Sequence, residues 1–74
     1  MTEGVSIDPT VCHGKPVIAG TRVLVSTILG ALAGGDSFDE VAEDYQIESS
    51  QISAALEFAA DMADFQTSAY EGVA

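Results

Sequence analysis

The stretch from Ser37 to Leu56 admits few folds. Ser37 followed three residues later by Glu40 is the capping-box pattern that starts a helix. Phe38, Val41, Ala42 and Tyr45 then recur at helical spacing and form an apolar stripe. Only Gln46-Ile47-Glu48 separates this stripe from a second helical stretch, expected over Ser49 to Asp64, with Ile52, Ala55, Leu56, Ala59 and Ala63 on one face. So short a junction forces the two helices to cross near it. Ala42 is small enough for the crossing, Ile47 can plug the angle from within the turn, and Ile52 with Ala55 can bury the second helix. This is helix-turn-helix spacing, in which the second helix of the pair can enter a DNA major groove. The same packing would also serve any compact trihelical unit, because the geometry specifies shape and not function.

A further helix is expected upstream, beginning near Ser26 as a cap, carrying Ile28, Leu29 and Leu32, and ending at Gly34-Gly35. The residues before it have an extended pattern. Val5-Ser6-Ile7 alternates and is stopped by Asp8-Pro9-Thr10. Val17-Ile18-Ala19 and Arg22 to Val25 form two β segments around Gly20-Thr21, with His13 to Pro16 as a loop before them. Residues 1–25 are therefore expected to form an extended β arm, 26–64 a three-helix helix-turn-helix unit, and 65–74 a fraying tail. The fold class is mainly α, in one domain. A chain of 74 residues buries only about 60% of its unfolded surface. One cysteine cannot form an internal disulfide, so oligomerisation is the expected remedy, with a homodimer pairing the arms.

Charge limits the partners. Twelve carboxylates face one Lys and one Arg, for a net charge of −10. From Gly34 to Asp64 there are nine carboxylates and no cation, so this segment offers phosphates nothing to neutralise them. Ser49, Ser50, Gln51, Ser53 and Glu57 remain on the outer face of the candidate recognition helix, and Ser50, Gln51 and Ser53 have the hydrogen-bonding groups to read base edges. Shape favours DNA and charge opposes it. The acidity itself fits two situations. The protein can grip a basic protein partner, or it can belong to an organism living in molar salt, where charge is screened within about 3 Å. The scarcity of Lys and the spread of carboxylates along the chain favour the second, halophilic, situation.

No catalytic constellation is visible. One Cys and one His cannot complete a tetrahedral metal site within the chain, and Cys12 and His13, adjacent on an extended segment, would point apart. The run Asp36, Asp39, Glu40, Glu43, Asp44 fits a solvated helix face. No enzyme activity and no cofactor are expected. The N-terminus lacks a basic start and an apolar core, and Val23 to Ala33 falls short of the roughly 20 apolar residues of a membrane span, so a cytoplasmic protein is expected.

Both cations, Lys15 and Arg22, lie in the run Gly14-Lys15-Pro16-Val17-Ile18-Ala19-Gly20-Thr21-Arg22-Val23. Gly14 and Gly20 allow backbone angles closed to other residues, and Pro16 stiffens the chain between them. Arg22 is expected to tie the arm to a carboxylate on the helices or on a second subunit, and Lys15 likewise, in preference to direct ligand binding. Together with Ile7-Asp8-Pro9, Cys12-His13 and the later Leu29, Leu32-Ala33-Gly34-Gly35, Ser37 to Val41, Asp44-Tyr45, Ile47, Ile52, Ala54 to Leu56 and Ala59, this run resembles a prokaryotic domain-of-unknown-function family of antitoxin-like small proteins of the VapB type. The resemblance covers about residues 5 to 64. It implies a winged or β-armed helix-turn-helix fold, frequently dimeric. It also implies an antitoxin whose partner resembles a PIN-like ribonuclease; operator DNA is a further candidate partner, suggested by the helix-turn-helix shape. The acidic helical surface departs from that expectation and leaves the alternative of an acidic protein-interaction module that does not contact DNA.

Overall fold

The computed structural model of the protein describes the backbone from Glu3 to Glu71 and the side chains as far as Asp64. The elements in order are β1 (Val5–Ser6), a 3-10 turn (Cys12–Gly14), β2 (Val17–Ile18), α1 (Val25–Ala33), α2 (Phe38–Tyr45) and α3 (Ser49–Glu71). The mainly α class with a short β-forming N-terminal segment is as expected.

The strands pair antiparallel, Val5 opposite Ile18 and Ser6 opposite Val17, and Val17 also bridges Leu24. Asp8 ends β1 as its residue types require. Its side chain accepts from the Thr10 N–H at 2.9 Å, and its carbonyl accepts from the Val11 N–H. The expected β segment over Arg22 to Val25 is reduced to that single bridge, because helix α1 begins at Val25. Nor does Ser26 cap α1: Leu24 occupies the cap position with no side-chain hydrogen bond, and Ser26 lies exposed inside the helix. The Val25 N–H instead donates to the Pro16 carbonyl at 3.0 Å, so the arm itself satisfies an orphan donor of the helix start. The loop before β2 is not extended either. Cys12, His13 and Gly14 all have positive φ (49°, 59° and 80°), which reverses the chain beneath β2.

The capping box on α2 forms in full. Ser37 Oγ accepts from the Glu40 N–H at 3.1 Å, and the Glu40 carboxylate accepts from the Ser37 N–H at 2.9 Å. α2 ends at Gln46 in the left-handed conformation, and the Ile47 N–H donates back to the Ala42 carbonyl. One cluster of buried side chains joins everything: Val5 and Ile18 from the strands, Val25 and Ile28 from α1, Val41 from α2, Ile47 from the turn, and Ile52 and Ala55 from α3. Val5 and Ile18 belong to this core, so the two strands pack together with the helices. The strands pack on α3 as a third wall beside α1 and α2.

Three apolar positions expected in the core lie outside it. Phe38 is 38% exposed at the first turn of α2, where few neighbours reach it; Leu56 is 39% exposed at the edge of the α3 stripe; Ala63 is exposed. α3 also does not stop at Asp64 but continues to Glu71. The remainder of the expected tail, residues 72–74, lies outside the described residues. No helix among the described residues is long and apolar enough to cross a membrane.

Candidate functional site

Three surfaces hold the residues that can meet a partner. The first is the helix pair α2–α3. Ile47 is 7% exposed and Ile52 fully buried, so the turn is plugged as its spacing requires, and the start of α3 is presented outward. Ser49, Ser50, Ser53 and Glu57 are all exposed there. Gln51 is not free in the same way. It is half-buried, and its side-chain oxygen accepts from the Glu48 N–H at 2.7 Å, closing the start of the helix. Of the candidate recognition residues, Gln51 therefore has a structural task that its sequence position did not reveal.

The electrostatics of this surface are uniform. Asp36, Asp39, Glu40, Glu43, Asp44, Glu48 and Glu57 are exposed around the helix pair. Hydrogen bonds from the Ser37 backbone and then its hydroxyl hold the Glu40 carboxyl below its ordinary range, so it stays charged into mild acid. Asp8 is lowered in the same way by the backbone and hydroxyl of Thr10.

The second surface is the arm, whose cation-bearing run the structure divides. Thr21 is a structural residue. Its hydroxyl donates to the Ile18 carbonyl at 2.8 Å and accepts from the Val23 N–H at 3.0 Å, closing a turn in which Gly20 takes φ 78°. Arg22 follows on the exposed side, bordering an open concavity of about 750 Å³ that also includes Ser6, Asp8 and Val11. The expected ion pair between Arg22 and a helical carboxylate does not form among the described residues. The turn ties down the Arg22 backbone and directs its side chain to solvent. Gly14 is held in the Cys12–Gly14 turn, where its N–H donates to the Val11 carbonyl. The Cys12 thiol lies 3.7 Å from the Arg22 carbonyl, which ties the two ends of the loop together.

The third surface was not anticipated. Lys15 and Pro16 lie apart from Arg22, on the rim of a groove of about 500 Å³ between α1 and α3. Leu29, Phe58 and Met62 line it, and Met62 is 48% exposed. Phe58 and Met62 follow Ala55 at spacings of three and seven, so the helical period could have identified them. Gly4 was also missed. Its φ of +92° and its approach to Ala54 leave no room for a side chain. No group of three or more His, Cys, Asp or Glu side chains among the described residues is placed to hold a metal ion.

Residues 5–59, spanning the strands, α1, α2 and the first half of α3, match a family model described as "Protein of unknown function (DUF433)". A Mycobacterium tuberculosis protein named "Putative antitoxin VapB45" is 40% identical over 53 residues, which is 72% of this chain and 22% of that protein. The X-ray crystal structure of Rv2018 from Mycobacterium tuberculosis is similar in fold, with a TM-score of 0.64 and 40% identity over 70% of this chain and 24% of that one. The chain thus spans less than a quarter of the length of each of these relatives. Since the family match takes in most of the chain, from β1 to the middle of α3, the protein belongs to the DUF433 family of proteins of unknown function.

Proposed function

We propose that this domain acts as the antitoxin of a toxin–antitoxin pair, binding a toxin that resembles a PIN-like ribonuclease. The reading is carried by the 40% identity to a protein named as an antitoxin, over a stretch covering 72% of this chain. The charge distribution favours protein over DNA as the principal partner, because the exposed face of α2 and the turn after it carry carboxylates and no cation. On this reading the domain is not an enzyme. It works by occupying its partner's surface.

Operator DNA is a second reading, supported by one feature: Ser49, Ser50 and Ser53 stand exposed at the start of the second helix of a helix-turn-helix pair. The test is direct. A purified PIN-like ribonuclease encoded beside this chain should form a stoichiometric complex with it and lose its activity on RNA. Operator fragments titrated in parallel at fixed salt should show weak binding or none. A ribonuclease that remains fully active and elutes alone would overturn the proposal, and tight sequence-specific binding to DNA would put the second reading in its place.

A further inference from the structure

Carboxylates are spread along this chain, yet the groove between α1 and α3 is lined by none. At 3.6 residues per turn, Glu57 and Asp64 fall on the side of α3 opposite Phe58 and Met62, and Asp61 is also turned away. The acids of α2 and its flanking turns are absent from the lining as well. The chain's own core leaves this apolar surface unfilled. Along one side of α3, Ile52 and Ala55 are fully buried, Phe58 and Ala59 are partly covered, and Met62 is 48% exposed. Leu29 and Val25 of α1 form the facing wall. An apolar strip of this kind on a small domain marks an interaction site.

Charge selects the occupant. Two copies that each carry −10 repel one another, so a contact between them needs a surface from which carboxylates are excluded. The groove is such a surface. Its single cation, Lys15 on the rim, attracts an acidic neighbour and opposes a basic one, and this chain is itself acidic. Size points the same way. A domain this small has a marginal core, and association is a means of burying more apolar surface. In a two-fold arrangement the Phe58 and Met62 ridge of each copy enters the groove of the other. The acidic sides of both α3 helices then face outward, away from the contact.

We infer that the α1–α3 groove is the contact between two copies of this chain, packed with α3 against α3 about a two-fold axis. The contact lies on the helices rather than on the strands, and it does not depend on the toxin-binding role. Repulsion between the two bodies still acts at a distance. Association therefore strengthens with salt, as screening shortens from about 10 Å at 0.1 M to about 3 Å at 1 M.

Sedimentation equilibrium of the full chain in low and in molar KCl tests this. A dimer is expected in molar KCl, with a weaker one or a monomer at low salt. Met62→Asp changes a half-exposed side chain, so the domain should still fold, which circular dichroism checks. Because a two-fold contact contains the residue twice, the dissociation constant should rise about tenfold or more. Lys15→Glu alters only the exposed rim and removes no packing, and it should also weaken the dimer. Glu57→Gln, on the far side of α3, should not. In a mixture of labelled and unlabelled chains, isotope-filtered NMR should show contacts between the two copies at Leu29, Phe58 and Met62. A monomer in molar KCl would overturn the inference. So would a dimer that Met62→Asp and Lys15→Glu leave unchanged, or contacts between copies confined to Ser6 and Ile7, which would move the interface to the strands. A chain monomeric at every salt, whose groove is covered only in a complex with the ribonuclease, would give the groove to that partner and overturn it too.

Discussion

At Gly4 the backbone takes φ +92°, and a Cβ would stand 2.9 Å from the Cβ of Ala54 on α3. This close approach lets β1 lie against α3. Gly20 shares the positive φ but has open space around it. Gly20→Ala should therefore cost only the backbone term of about 1 kcal/mol, whereas Gly4→Ala should cost about 2–4 kcal/mol in urea unfolding, since it adds a clash between packed elements. Equal losses would mean that the strand is not held tightly at Gly4. Arg22 presents the opposite case. With its side chain exposed and no carboxylate of the described residues paired to it, Arg22→Ala should change the stability of the monomer by no more than about 0.5 kcal/mol. Its weight then falls on contacts outside the chain. Sedimentation and partner binding measured on the same mutant would locate them, and a monomer clearly destabilised by the change would show that Arg22 is paired within the fold after all.

Each helix start in this domain is closed by a different device. α2 uses the reciprocal Ser37–Glu40 box, α3 uses the Gln51 side chain on the Glu48 N–H, and α1 uses the Pro16 carbonyl of the arm. Ser37→Ala should cost about 1 kcal/mol in thermal or urea unfolding, with the helices otherwise intact. The partner half of the box is sensitive to pH. Because the folded domain lowers the Glu40 pKa, the contribution of its charge is complete above the ordinary glutamate range and is lost as the pH falls through the lowered value. Wild type should thus be more stable than Glu40→Gln at neutral pH, with the gap closing in acid. A gap that stayed constant or widened as the pH fell would show that the carboxylate charge has no part in the cap. The box, the Gly34–Gly35 stop and the buried Ile47 were legible in sequence because each is a local device within a few residues. The start of α1 was not, since its donor is satisfied by a carbonyl nine positions earlier, brought there by tertiary folding.

For the whole molecule, a small core and a net charge of −10 act in opposition. A domain of this size has little stability to spare, and repulsion among exposed carboxylates reduces it further. Salt shortens that repulsion from about 10 Å at 0.1 M to about 3 Å at 1 M. The thermal midpoint should therefore rise as KCl is taken from low to molar concentration, if the acidity is an adaptation to salt. A midpoint that stayed level or fell would remove the halophilic explanation of the charge and leave the basic partner as its reason.

What the sequence determined by itself was whatever depends on period, local hydrogen bonding and total charge. The three helices and their order, the plugged helix-turn-helix junction, the Asp8 and Gly20 turns and the acidity of the helical face all follow from residues near one another in the chain. Tertiary structure alone decided which apolar side chains are covered. Ile52, Phe58 and Met62 belong to one helical face, yet burial falls along it because the strands and α1 reach only part of its length. The same cause separates Lys15 from Arg22. They are close neighbours in one run, but β2 and the turn after it direct one to the rim of the groove and the other to the open concavity. A periodic pattern specifies the direction in which a side chain points; only the packed neighbours decide whether anything is there to meet it.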